Sequence, residues 1–483
     1  MTSSSTYRLH ANHQDLSIWA VCAIAFVFIV LAIGLRLLGI DAQPLWYDEL
    51  YSAAFAIQTI PDIVTSVRAH DPHPSLFYIL LHFWMKFGTD DVWLRLNSVS
   101  WSLLAILPTF LVGRRLFGTY GGFWAAFILT ISPIAIFFAQ EVRMYAMLMS
   151  LVAFNLLFLE RLLVGDQRRF DLFWFFLTLL AVCYVQGAGC LLLLPVTVYI
   201  AQRVGWNWRS GIGRKLAVAV FAVAVLALPW VIQAQGTSLD HLRIWSFEDI
   251  PAVLLNILLG PDVQTSSDFV LMIFLFACCV AFVGLIKAPR TRALTISYIL
   301  VNFGAILILA FFVTPLWHIN ALAGVLPVLT IIAGGALASA FEGFHRTPRV
   351  GLMLTGVVAL TFIPFAIVVN GKNDAFRQMH YNTAAHLLQK TLPGDTIEIE
   401  DWRDLWTLTW YLSGPGTAPV DTEQHVITMT NGRELTKMAD NSLSAPGVWR
   451  VIRNATWREA HEANRQEPDG TQHFARFVIS RQK

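Results

Sequence analysis

The chain has 483 residues, of which 56% are hydrophobic and only 14% are charged, whereas soluble domains carry about 25% charged residues. Together with a mean hydropathy of +0.58, this balance excludes an ordinary soluble protein and predicts a polytopic membrane protein. The net charge of +2 and the lack of any Lys/Arg-rich block argue against nucleic acid as a partner.

The first apolar run extends from Ile18 to Leu35 and is closed by Arg36. It is longer than the apolar core of a signal peptide, which has about 7 to 15 residues, and no small-residue cleavage site follows it. We therefore expect this run to be a retained first membrane span.

Ten further apolar runs have the length of a membrane span, which gives eleven predicted transmembrane helices. They lie at about 92–112, 119–139, 144–164, 171–186, 188–202, 216–234, 269–286, 293–313, 320–341 and 350–369. The segment 75–88 is too short to cross a hydrocarbon core of about 30 Å. We expect it to form an interfacial or re-entrant helix within a first loop, 40–91, that lies on the membrane.

Basic residues are distributed unevenly between the predicted loops. If 75–88 does not cross, 14 Lys and Arg residues fall on the side of the N-terminus and only four on the opposite side, namely Arg68, Lys86, Arg143 and Arg243. Because cytoplasmic loops carry the excess of positive charge, the N-terminus is predicted to be cytoplasmic and the loop 40–91 to face outward.

The composition changes near Asn370, which divides the chain into a transmembrane domain, 1–370, and a second domain, 371–483. In the second domain 27 of 113 residues are charged, against 39 of 370 before it. Its apolar periodicity predicts helices near 376–390 and 403–412, and strands at "TIEIE", "HVITMT", "VWRVIRNA" and "FARFVIS". We therefore expect an all-α polytopic membrane protein with a small C-terminal extracytoplasmic α/β domain.

The first cluster that could carry chemistry is the sequence Trp46-Tyr47-Asp48-Glu49, at the outer end of the first span. Aromatic residues with scattered charges are common at membrane interfaces, where they act as anchors. Because neighbouring side chains in a non-helical segment diverge, two adjacent acids are better explained by two different partners. The pair Asp48 and Glu49 is therefore a functional candidate.

The second cluster, "HDPHPSL" at residues 70–76, contains Asp71 and His73. Its prolines are compatible with a plain turn that starts a helix. Equally, a carboxylate and an imidazole on a rigid loop suit a divalent cation: both together favour Mn²⁺ or Zn²⁺, and carboxylate alone favours Mg²⁺. The spacing does not decide between these readings.

The third cluster, "AQEVRMYA" at residues 139–146, brings together Gln140, Glu141, Arg143 and Tyr145. These groups are denser than a snorkelling arginine requires, and charge of this kind near a membrane is a functional hypothesis by default. Arginine with tyrosine suits a phosphate at the membrane surface. The chain has no Walker loop, no GxSxG motif and no CxxC motif, which argues against ATP-driven transport and serine hydrolysis.

The order of these motifs resembles that of a known family. "WYDE", "HPSLFYILL", "RLNS", "GRRLFG" and "QEVRMYA" follow one another as in the integral-membrane glycosyltransferases of the GT-C fold. The resemblance is strongest to the bacterial RgtA/B/C/D-like group, which is related to protein O-mannosyltransferases and aminoarabinose transferase. It covers about residues 19–200.

The resemblance implies an enzyme of the bacterial cytoplasmic membrane that acts at its outer face. Such enzymes move a hexose or pentose, with inversion, from a polyprenyl-phosphate donor to a hydroxyl of a glycan, lipid or protein acceptor. Asp48 is implied to be the general base, and Glu49 its partner, which orients the acceptor or contributes to metal binding. The leaving phosphate needs positive charge, from Arg143 or from a divalent cation such as Mg²⁺, Mn²⁺ or Zn²⁺.

Other positions are implied with supporting roles. Tyr145 is expected to face the donor phosphate beside Arg143, and Glu141 lies where relatives often carry another acid, next to Gln140. His73 matches the first residue of the family's "HPP" motif, in which Ser75 here replaces the second proline. His318 lies where many relatives have a basic residue before the tenth span, and is implied to contact the phosphate.

Two other classes of protein fit parts of the pattern. A transporter or lipid flippase would also have many spans, but it is expected to carry polar groups near the bilayer midplane and repeated halves. In a catalytically inactive binding or scaffold protein, the outer domain would carry the function. The polar clusters lie at outer span ends and the sequence shows no internal repeat, which argues against a transporter. The acids of the first loop together with Arg143 argue against a scaffold.

Overall fold

The computed structural model describes most of the first 234 residues and separate segments beyond them. The described residues are 18–166, 168–205, 211–234, 289–302, 304–305, 323–340, 381–385, 387, 396–399, 408, 410–412, 426–428, 448–453, 465–466, 472–474 and 477–481. The spans predicted at 269–286 and 350–369 lie outside these residues.

The first predicted span corresponds to the helix α1, Ile18–Leu37, and three short helices follow it. These are α2, Tyr47–Ala56, then α3, Ile60–His70, and α4, Leu76–Met85. With 10 residues, α4 is about 15 Å long, half of what a bilayer core requires. This length supports the prediction that the segment 75–88 does not cross.

The helix α5, Asp91–Ile131, contains the second predicted span and most of the third. The chain breaks its helical path inside α5 at Gly118, whose φ of 80° and ψ of 180° are non-helical. Only glycine adopts this φ readily. The two halves pack closely, since a Cβ added to Gly113 would lie 2.9 Å from the Gly122 Cα.

The third predicted span, 119–139, is interrupted before it ends. After α5 a new helix, α6, runs from Pro133 to Ala139, and Ser132 Oγ accepts a hydrogen bond from the Ala135 backbone N–H. Proline has no N–H to continue the previous helix, which explains the break. A short non-helical stretch then leads to α7, Tyr145–Val164.

The next helices complete the described bundle. They are α8, Asp171–Val185; a 3₁₀ helix, Gly187–Leu192, that leads into α9, Leu193–Val204; α10, Gly211–Ala234; α11, Pro289–Leu294, followed by a π-helical turn, Thr295–Val301; and α12, Leu326–Ala340. Four helical stretches of the described residues are long and apolar enough to cross a membrane: Asp91–Ile131, Tyr145–Val164, Gly187–Val204 and Gly211–Ile232. Shorter apolar helices lie beside them.

Small residues bring α12 against α5. A Cβ added to Gly334 would lie 2.6 Å from the Ala125 backbone nitrogen, so the two backbones meet without an intervening side chain. Close approach of this kind is how helices associate where water does not drive their packing.

A buried polar network joins the ends of α7 and α9. Glu160 Oε1 accepts hydrogen bonds from the Tyr199 hydroxyl, at 2.6 Å, and from Arg203 Nη1, at 2.7 Å. These residues lie at the opposite end of α7 from Tyr145, and therefore on the predicted cytoplasmic side.

Beyond residue 370 the described segments include six strands. They are β1, Thr396–Ile399; β2, Val426–Thr428; β3, Val448–Arg453; β4, Arg465–Gln466; β5, Gln472–Phe474; and β6, Phe477–Arg481. They pair in the order β2-β1-β3-β6-β5-β4. The pair β1 and β3 is parallel and the other pairs are antiparallel. That this region forms an α/β domain remains a prediction.

The prediction of one strand over "FARFVIS" is wrong. Phe474 ends β5 and Phe477 begins β6, and these two residues pair with each other in an antiparallel ladder. The sequence between Phe474 and Phe477 contains no Gly, Pro, Asn or Asp, the residues that normally indicate a turn. The alternation of apolar residues therefore resembled that of one continuous strand.

Candidate active site

The three polar clusters predicted from the sequence meet at one place in the structure. Asp48 and Glu49 lie in the first turn of α2. The backbone N–H of Val142, in the third cluster, donates to Glu49 Oε1 at 3.1 Å. Arg143 of the same cluster reaches the Tyr78 hydroxyl, which binds Asp71 of the second cluster.

Glu49 is fully buried in an ion pair with Arg95. Arg95 Nε donates to Glu49 Oε1 at 2.9 Å and Arg95 Nη2 donates to Oε2 at 2.7 Å. Glu49 Oε2 also accepts from the Trp46 backbone N–H at 3.2 Å. A buried carboxylate requires such complete pairing, because burial of an unpaired charge is costly. Both carboxylate oxygens of Glu49 therefore accept hydrogen bonds from the protein itself.

Asp48 has a different environment from its neighbour. Its side chain is half-buried, and within the described residues no side chain donates a hydrogen bond to its carboxylate. Its negative charge acts on the pKa values of His73 and Arg143, which places it beside both. Of the two adjacent acids, Asp48 is therefore the one whose carboxylate is partly exposed and not already paired with an arginine.

Arg143 is a buried cation, only 6% exposed. Its Nη1 donates to Ser52 Oγ at 3.2 Å and approaches the Tyr78 hydroxyl at 3.5 Å. Its guanidinium carbon lies 5.9 Å from the centre of the Tyr145 ring. The buried Nε has no hydrogen-bond partner within the described part of the chain.

The charge of Arg143 is secured by its surroundings. Burial lowers the pKa of the guanidinium, but the neighbouring tyrosine and aspartate oxygens raise that pKa well above its ordinary value. The groups responsible are Tyr145, Tyr78, Asp48 and Asp71. The site therefore contains a permanent positive charge, and the Nε–H of this arginine is available to donate a further hydrogen bond.

The loop before α4 is held by Asp71. Its Oδ1 accepts from the His73 backbone N–H at 2.6 Å and its Oδ2 accepts from the Tyr78 hydroxyl at 2.8 Å. The buried Nδ1 of His73 has no hydrogen-bond partner among the residues described. Burial and the charge of Arg143 lower the pKa of His73, although the two aspartates oppose them, so the imidazole is neutral at pH 7.

The described residues do not form a metal site from protein ligands alone. They contain no group of three or more His, Cys, Asp or Glu residues that could hold an ion. Both oxygens of Asp71 already accept hydrogen bonds. The cation predicted at Asp71 and His73 therefore remains a prediction.

The remaining predicted residues lie around this centre. Gln140 Nε2 donates to the backbone oxygens of Arg36, at 3.0 Å, and Leu38, at 2.8 Å, so it binds the end of α1. Glu141 is buried, and its Oε2 accepts from the Trp46 indole N–H. His318 lies outside the described residues.

Sequence reasoning missed residues that shape the site. Arg95 and Tyr78 were visible only as parts of "RLNS" and "HPSLFYILL", without a role. Gly187 was not singled out, yet a Cβ at this position would lie 2.7 Å from the Pro72 oxygen. The sequence places Arg95 near the start of a predicted span, but nothing in the local pattern indicates that it pairs with Glu49.

Comparison with known proteins identifies the fold. No model of a protein family matches the chain, and no curated protein matches it either. Among solved structures, ArnT from Cupriavidus metallidurans bound to undecaprenyl phosphate is similar with a TM-score of 0.61 and 15% identity, over 96% of this chain and 98% of ArnT. The apo state of ArnT gives a TM-score of 0.58 at 16% identity, over the same shares.

A second enzyme is similar over a smaller part of its length. The archaeal oligosaccharyltransferase AglB from Archaeoglobus fulgidus, in complex with an inhibitory peptide and a dolichol-phosphate, has a TM-score of 0.52 and 12% identity, over 85% of this chain and 64% of AglB. ArnT and AglB are both GT-C glycosyltransferases. The chain therefore has the GT-C fold, as the resemblance of its sequence motifs predicts.

Proposed function

We propose that the protein transfers a sugar from a polyprenyl-phosphate donor to a hydroxyl group of an acceptor, with inversion, at the outer face of the bacterial cytoplasmic membrane. The similar structure of ArnT contains undecaprenyl phosphate, and that of AglB contains a dolichol-phosphate. Both are phosphates on long lipid chains, which this membrane protein of the same fold is suited to bind.

One observation carries the proposal: a half-buried carboxylate, Asp48, lies beside buried nitrogen atoms that have no hydrogen-bond partner among the described residues. These are Arg143 Nε and His73 Nδ1. A buried donor without a partner costs free energy, of the order of 1–3 kcal/mol. A phosphate that accepts from Arg143 removes this cost, and the protonated Nδ1 tautomer of neutral His73 is a second donor.

The roles follow from the chemistry of the transfer. Asp48 accepts the proton of the acceptor hydroxyl while the hydroxyl oxygen attacks the anomeric carbon of the sugar. The bond between that carbon and the phosphate oxygen breaks, and the electron pair leaves with the polyprenyl phosphate. Arg143, with Tyr145 beside it, stabilises the charge that develops on this leaving group. A single displacement inverts the anomeric configuration.

The other predicted residues have supporting roles in this proposal. Glu49 holds the start of α2 through Arg95, and thereby orients Asp48. Glu141 fixes Trp46 and Gln140 fixes the end of α1, so both position the loops that meet at the site. A contact between His318 and the phosphate, and participation of a divalent cation, remain predictions. The sugar can be a hexose or a pentose, and the acceptor a glycan, lipid or protein.

Substitution of the proposed base tests this function. We expect Asp48→Asn to lower sugar transfer by about a thousandfold, the size of a general-base contribution, without loss of donor binding. The measurement is mass spectrometry of products from purified enzyme with polyprenyl-phosphate sugars. Asp62→Asn, which changes an exposed acid on α3, is the matched control and should keep full activity. Full activity of Asp48→Asn would exclude Asp48 as the base.

A further inference from the structure

The loop that leads into α2 is held by donors from two distant parts of the chain. Arg95 Nη1 donates to the backbone oxygens of Ile40, at 2.8 Å, and Gln43, at 2.7 Å, and its Nη2 donates to that of Pro44, at 3.1 Å. The next carbonyl, that of Leu45, accepts from the Tyr411 hydroxyl at 2.9 Å. One carbonyl of the loop thus depends on a residue from beyond residue 370.

The contact around Tyr411 is packed as well as hydrogen-bonded. The adjacent Trp410 is only 6% exposed and belongs to the same hydrophobic core as Leu45, which is fully buried. The ring of Tyr411 meets that of Tyr381 edge to face, with 5.4 Å between their centres. Burial, together with nearby carboxylates, raises the pKa of the Tyr411 hydroxyl, so it remains a donor at physiological pH.

We propose that Tyr411 is a positioning residue for the active site, through which the region after residue 370 fixes the loop that leads into α2, the helix that carries Asp48. The inference rests on the proposed function for its catalytic consequence. The contact itself does not depend on which reaction the protein performs.

The path from Tyr411 to Asp48 is short. The Leu45 N–H donates to Asp91 Oδ2 at 3.3 Å, while the Leu45 carbonyl accepts from Tyr411, so this residue is held on both sides of its backbone. Trp46 follows immediately, at the start of α2, and Asp48 lies in the first turn. Loss of the bond from Tyr411 leaves the buried Leu45 carbonyl without this donor, and the loop is then free to shift.

The test compares Tyr411→Phe with Tyr381→Phe in the full-length protein. The first removes the hydroxyl that binds Leu45, and the second removes a hydroxyl from the ring packed against it. For Tyr411→Phe we expect faster amide hydrogen exchange in peptides that cover residues 45–50 and a kcat lower by about three- to tenfold, the effect of one hydrogen bond. KM for the polyprenyl-phosphate sugar and the melting temperature should change little. Tyr381→Phe should match the wild type in all four measurements.

The two readouts separate the positioning role from the proposed function. Unchanged exchange at residues 45–50 would overturn the inference whatever the activity. Faster exchange with the wild-type kcat would also overturn it, because the loop would then move without consequence for the site. Absence of sugar transfer by the wild type would contradict the proposed function instead, and the exchange comparison would still decide whether Tyr411 holds the loop.

Discussion

Asp48 and Glu49 are neighbours in sequence but have different partners. Because they lie in the first turn of α2, their side chains point about 100° apart around the helix axis. Glu49 faces Arg95, and Asp48 faces Arg143 and His73. The sequence predicted two separate partners for the pair, although it assigned the pair to a non-helical segment. The identity of Arg95, 46 positions from Glu49, could not be predicted from local pattern.

At Arg143 the structure supports a specific prediction about donor binding. We expect Arg143→Ala to weaken the affinity for a polyprenyl phosphate by about ten- to a hundredfold, because it removes a buried charge-assisted hydrogen bond. Arg143→Lys keeps the positive charge but loses the planar guanidinium with its paired donors. Its affinity for the polyprenyl phosphate should therefore lie between those of the wild type and Arg143→Ala. The measurement is a binding titration with purified protein.

The matched control for Arg143 is Arg68→Ala, which removes an exposed positive charge from α3. It should leave the affinity for the lipid phosphate close to that of the wild type. Equal affinity in Arg143→Ala and the wild type would remove Arg143 from the phosphate site.

At the scale of elements, short helices and tight loops build the site between the long spans. The long helices could be predicted because continuous apolar runs indicate spans. The break at Ser132 and Pro133 was missed, since hydropathy alone does not distinguish one helix from two that are joined at a proline. The 3₁₀ helix Gly187–Leu192 was not predicted either, because all of it except Gly187 lay within the span predicted at 188–202. Its contact with the second polar cluster depends on tertiary packing.

Gly187 offers a test of this contact between elements. In Gly187→Ala the new Cβ would lie 2.7 Å from the Pro72 oxygen, so the loop that carries Asp71 and His73 must shift. We expect kcat/KM for sugar transfer to fall by about ten- to a hundredfold, as misplacement of about 1 Å can cost. Steady-state kinetics with the purified protein measure this effect.

Gly211→Ala is the control for the glycine substitution, because a Cβ at Gly211 would have no atom within 4 Å. It should retain wild-type activity. Wild-type kinetics for Gly187→Ala would mean that the loop around His73 accommodates the change and that its exact position does not matter.

At the scale of the whole molecule, the GT-C fold explains why the polar clusters lie at one end of the bundle. A lipid-linked sugar phosphate keeps its tail in the bilayer and its sugar just outside, so the reacting groups must lie at that interface. The sequence predicted that the clusters lie on the same side of the membrane. This prediction depends on the segment 75–88, which must not cross the membrane. The contact between Tyr411 and Leu45 links residues 366 positions apart, and no periodicity in the sequence indicates it.

The most direct test of the central claim compares the lipid-linked sugars and envelope glycans of cells with and without the gene, by mass spectrometry. A third strain, which carries only the Asp48→Asn protein, controls for effects of the missing membrane protein. We expect the strain without the gene and the Asp48→Asn strain both to lack one sugar in an envelope glycan and to accumulate the polyprenyl-phosphate form of that sugar. Unchanged glycans and an unchanged donor pool in the strain without the gene would contradict sugar transfer as the function of this protein.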